Sequence, residues 1–91
     1  MTSELLEVGV KLETEHASIL LIRGKKAHLG CGYFSLAPAD RLGDRFAIVT
    51  GVKCFADMLQ ARVVAVSVAA AACGVAEGMT GRDALLLMER A

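Results

Sequence analysis

His16-Ala-Ser-Ile-Leu-Leu-Ile-Arg23 sets four apolar residues, Ile19 to Ile22, in an unbroken row. The run is short and partly β-branched, and turn residues follow it. That combination reads as a strand buried on both faces rather than a helix. Upstream, Val8, Val10 and Leu12 alternate with Gly9, Lys11 and Glu13 after Glu7, which predicts a half-buried strand over 7–13. Downstream, Gly24-Lys25-Lys26 punctuates a turn, and Ala27 to Ser35 reads as the returning strand of a hairpin. Three strands in succession make the N-terminal half a sheet.

The rest alternates short helices with strands. Ala37-Pro38-Ala39-Asp40 opens a helical turn with proline at a tolerated position, and Gly43 ends it. Phe46 to Thr50 is a strand closed by Gly51. Lys53 to Gln60 sets Phe55 with Leu59 and Cys54 with Met58 at helical spacing. Arg62 to Val66 is β-branched and reads as a fifth strand. Ser67 suits the cap of the alanine-rich helix that follows, and Gly74 the residue just past its end. Thr80-x-x-Asp83 is a variant capping box for a last helix over 81–89, with Ala84, Leu85 and Met88 on one face. The expected fold is α+β over 1–91 as one domain. It has a largely antiparallel sheet of four or five strands, short helices, and a C-terminal helix packed on the sheet.

Composition narrows the function classes. Ten basic and ten acidic residues cancel in a chain of 91, which argues against nucleic acid or an anionic membrane as partner. Apolar residues reach 55%, above the roughly 45–50% of soluble domains. So small a chain cannot hide that much in one core, and self-association through strands 7–13 and 16–23 is the expected remedy. The acidic start Met1-Thr-Ser-Glu4 shows no signal peptide, and the uncharged run Val63 to Ala76 falls well short of the roughly 20 residues of a spanning helix. Three cysteines without a CxxC pair read as reduced thiols, so the expected compartment is the cytoplasm.

Three places could carry chemistry. In Leu29-Gly30-Cys31-Gly32-Tyr33, strict alternation puts Gly30 and Gly32 on the face of His28, with Leu29, Cys31 and Tyr33 opposite. A glycine pair leaves a flat patch: either a ligand cleft with Cys31 at its edge, or a seat for a tightly packed helix with Cys31 in the core. As a nucleophile Cys31 would need His16 or His28 as base, yet His28 stands an odd number of positions away and a regular strand opposes the two. The same opposition weakens His28-x-x-Cys31 as half a metal site, so neither metal nor cofactor is expected. Finally, Gly74 to Leu85 brings glycines, Thr80, Gly81 and Arg82 to a helix start, where free amides could hold an anion. The alternative there is a structural cap beside a solvated arginine. Asp40-Arg41 and Asp44-Arg45 read as a solvated face.

Cys31-Gly32, Gly51-Val-Lys53 leading to Met58-Leu59, and the tail Gly74-Val-x-x-Gly78-Met-x-Gly81-Arg-x-Ala84-Leu85 resemble the YunC-like domain-of-unknown-function family of bacteria and archaea. The resemblance runs from about Val8 to Met88 but does not extend to the thiols Cys54 and Cys73. It implies a compact α+β fold whose N-terminal strands build a tetramer, and it implies no activity and no catalytic residues. The expected protein is therefore a small homo-oligomer, tetramer or at least dimer, binding a small ligand near Gly30-Cys31-Gly32. The alternative is a small thiol-dependent enzyme using Cys31.

Overall fold

The computed structural model of the chain describes residues 8–16, 18–24 and 27–90. Five strands, β1 (Val8–Glu13), β2 (Ser18–Arg23), β3 (Ala27–Gly30), β4 (Arg45–Val49) and β5 (Val63–Val66), form one sheet in the order β1-β2-β3-β4-β5. Four short helices accompany them: α1 (Ala37–Leu42), α2 (Phe55–Gln60), α3 (Val68–Ala72) and α4 (Gly81–Arg90). The α+β architecture and the C-terminal helix against the sheet are as the sequence pattern implies. Lys25 and Lys26 of the expected turn lie outside the described residues, but Gly24 N–H donates to the Ala27 carbonyl at 2.8 Å and closes the β2–β3 connection.

All neighbouring strands run antiparallel except β3 and β4, which are parallel. A parallel step needs a long crossover, and the segment containing α1 supplies it. This is why the returning strand expected over 27–35 is shorter than the alternation suggests. Past Gly30 the chain leaves the sheet in a turn, with Phe34 N–H donating to the Cys31 carbonyl at 3.1 Å. Tyr33 consequently loses the face it would have shared with Cys31 and stands 57% exposed.

The core lies between one face of the sheet and the helices. Leu20, Ile22, Leu29, Ala47, Val49 and Val63 contribute from the strands, and Met58, Ala70, Ala84, Leu85 and Met88 from the helices. Alternation is strict in β2: Leu20 and Ile22 are wholly buried, while Ile19 and Leu21 are only half-buried. A strand covered on both faces is thus not what the single chain shows.

β1 departs further from expectation. Register pairs Gly9 with Ile22 and Lys11 with Leu20, so Gly9, Lys11 and Glu13 share the core side. The Phe55 ring of α2 lies over the Gly9 position there, and Lys11 and Glu13 pair with each other at 3.6 Å. Val10 and Leu12 turn the other way, 36% and 60% exposed. The apolar half of β1 faces away from the protein's own core.

Candidate functional site

Gly30-Cys31-Gly32 sits where β3 ends. The space a side chain at Gly30 would need is already taken by the rings of Phe34 and Phe46, whose atoms lie 2.7 Å from where a Cβ would be. The patch over Gly30 is therefore an aromatic contact, Phe34 tilted on Phe46 at 5.6 Å between centroids. Gly32 is exposed beside the Thr50 methyl group. Cys31 is 6% exposed and belongs to the core. Its thiol Sγ accepts the Leu20 amide at 3.3 Å, while its own amide donates to the Leu20 carbonyl at 3.1 Å. The sulfur thus stands in for a backbone acceptor as the strand bends away.

The two histidines are placed apart from that sulfur. His16 projects into solvent after β1, with Nε2 3.9 Å from Glu15 Oε1. His28 lies opposite Arg23 of β2 and Phe46 of β4, on the face away from Leu29. Its ring stacks on Phe46 at 5.6 Å and 15°, and its Nδ1 is buried without a hydrogen-bond partner among the described residues. The structure brings His28 together with Gly30 and Phe46, and Cys31 together with the core.

At the start of α4, Thr80 Oγ1 accepts the Asp83 amide at 3.2 Å, the cap that the sequence spacing implies. Gly81 N–H donates to the Ala61 carbonyl at 2.8 Å, and Gly81 is buried with the Met58 carbonyl directly against its α-carbon. Arg82 is exposed. Two first-turn amides that an anion would use already have protein partners. No group of three or more His, Cys, Asp or Glu that could hold a metal ion occurs among the described residues, nor a helix long and apolar enough to cross a membrane.

Two residues expected on a solvated face make tertiary contacts instead. Asp40 Oδ1 accepts the Val68 amide at 2.8 Å, capping α3 from another element, and Arg45 donates to the Met88 carbonyl at 2.7 Å, tying down the end of α4. Charge repeats at short spacing do not reveal partners distant in sequence, so this reading had no local signal to correct it.

What the sequence did not single out is the face opposite the core. The register lines up Val10, Leu21, Gly30, Ile48 and Ala65 in one row across all five strands. Leu12 and Ile19 flank it on one side, and Arg23, His28 and Phe46 on the other. Among these described side chains only Arg23 carries a fixed charge. The signal was present in β1 as alternation, but alternation does not say which side the core is on.

The model of the family described as "Domain of unknown function (DUF1805)" matches residues 30–88. The chain belongs to that family. It is similar to the crystal structure of a protein of unknown function, TA1206 from Thermoplasma acidophilum, at 28% identity and a TM-score of 0.77 over 89% of this chain and 91% of that one. No curated protein matches the chain. The family match begins at Gly30, so β1 and most of the β1–β3 meander of this DUF1805 member lie outside it.

Proposed function

We propose that this DUF1805 protein works as a homo-oligomer in which the Val10–Leu21 face of one chain is covered by the same face of a second copy. One observation carries the reading: the apolar residues of β1 point away from their own core, leaving Leu12 60% exposed beside half-buried Ile19 and Leu21. An apolar sheet face continuous over several strands is uncommon on a monomer of this size.

Two features favour a copy of the same chain as the cover. The formal net charge is zero, so like chains approach without long-range repulsion. The β1–β2 part of that face, Val10, Leu12, Ile19 and Leu21, carries no charge, so a twofold axis can lay it on itself without opposing like charges at its centre. The resemblance to the YunC-like family implies the same role for the N-terminal strands. Light scattering at micromolar concentration tests the proposal. A mass about two or four times the 9.6 kDa of one chain is expected, and a mass near 9.6 kDa overturns it.

A further inference from the structure

We infer that the carboxyl ends of β3 and β4 form a binding site for the phosphate group of a small molecule, a site that does not depend on the assembly proposed above. The two strands are parallel neighbours, with Gly30 beside Ile48, so the chain leaves both at the same edge of the sheet. The two connections then part. Past β3 the chain crosses the outer face, where the Phe34 ring covers Gly30, and Ala39 of α1 is buried outside the core cluster. Past β4 it turns to the core face, where Phe55 of α2 lies over Gly9 and Met58 enters the core. Departure to opposite faces leaves the edge between two parallel strands covered by neither connection, the place where open sheets with parallel strands take their ligands.

The loops over 31–35 and 50–54 border that opening, and they meet: a Cβ at exposed Gly32 would stand 3.2 Å from the Thr50 methyl group. The amides of Gly32, Tyr33, Gly51 and Val52 donate to no acceptor among the described residues. The hydroxyls of Thr50 and Tyr33 and the ammonium of Lys53 likewise have no partner there. Gly51 is exposed at φ +71°, and nothing lies within 4 Å of where its Cβ would be, so a ligand can come close to that backbone. Asp57 is the carboxylate these loops engage. Its Oδ2 accepts the Lys53 amide at 3.1 Å and leaves the Lys53 ammonium free. The start of α4 is the opposite case, because its Gly81 and Asp83 amides are already taken by the Ala61 carbonyl and Thr80 Oγ1.

Backbone amides, hydroxyls and an ammonium are a set of donors. Their complement is a negative group with several acceptor oxygens. A phosphate presents more of these than a carboxylate does, and it can accept from two loops at once. With no net charge on the chain, the attraction comes from these local donors rather than from a long-range field.

Titration of the isotopically labelled full chain with inorganic phosphate, with chloride exchanged out to hold the ionic strength, reads every amide by heteronuclear NMR. The expected result is a saturable shift of the Gly32, Tyr33, Gly51 and Val52 signals with half-saturation in the millimolar range, while Arg82 and Asp83 stay in place. Lys53 is exposed, so Lys53→Met should keep the folded spectrum while weakening phosphate about tenfold, as the loss of one hydrogen bond to a charged group predicts. No saturable shift in the two loops overturns the site. Equal affinity in Lys53→Met overturns it as well, and shifts of the same size at the start of α4 would show a general ionic effect in its place.

Discussion

At the scale of single residues, Ser67 carries more than its position suggests. Its hydroxyl donates to the Asp44 carbonyl at 2.8 Å and accepts the amides of Phe46 and Ala70 at 3.0 and 3.2 Å, and the residue is fully buried. A serine at a helix start announces the cap on Ala70, but nothing local announces the bonds to β4. Ser67→Ala strands two amides and a carbonyl away from water and should cost about 2 kcal/mol or more, against about 1 kcal/mol for Thr80→Ala, which removes a single exposed cap bond. Urea titration of both variants checks the order, and equal losses would show that the β4 bonds contribute nothing. Gly81 gives a second comparison of opposed effects. Alanine there gains about 1 kcal/mol in helix propensity but drives a methyl into the Met58 carbonyl, where overpacking costs about 3 kcal/mol. The clash wins, so Gly81→Ala should be net destabilising by about 2 kcal/mol, and an unchanged midpoint in the same titration would contradict it.

At the scale of elements, β1 allows folding and the proposed assembly to be tested apart. Leu12 is 60% exposed in the single chain, so Leu12→Glu should change its stability by no more than about 0.5 kcal/mol while breaking the proposed oligomer. Leu20 is fully buried on the other face of the same sheet, and Leu20→Glu should unfold the chain outright. Circular dichroism beside light scattering distinguishes the two outcomes, and an intact oligomer in Leu12→Glu would place the interface elsewhere. The elements were largely legible in the sequence because their signals are local. The alternation of β1, the apolar run of β2, and the caps at Ser67 and Thr80 each lie within a few residues. The end of β3 at Gly30 and its parallel pairing with β4 were not legible, because both depend on where a crossover must leave the sheet. The side to which Val10 and Leu12 point was hidden as well, because it depends on the register with β2, which sets Gly9 beside buried Ile22 and under the Phe55 ring.

At the scale of the whole molecule, the three thiols report on different depths. Cys54 is exposed, Cys73 is intermediate, and Cys31 is buried in the core. A thiol reagent applied to the native protein should modify Cys54 first, Cys73 more slowly, and Cys31 only through global opening. Labelling of Cys31 should then accelerate with urea in step with unfolding. Rapid native modification of Cys31 would instead mean a reachable sulfur, and would reopen the thiol-dependent reading that its place in the core does not support.

The parallel joint between β3 and β4 divides the chain in time as well as in space. The pairings β1–β2 and β2–β3 close over short connections, whereas β3 meets β4 only after the intervening segment with α1 is ordered. Loop closure over that longer stretch carries an entropic toll that the two hairpins escape. Backbone amides of β2 should accordingly gain protection earlier in refolding than those of β4, as pulsed hydrogen exchange can follow, and simultaneous protection would show one nucleus spanning the joint. During that interval the meander would present its greasy outer surface to every other nascent chain nearby. Crowded synthesis is then the moment at which this protein is most prone to associate wrongly.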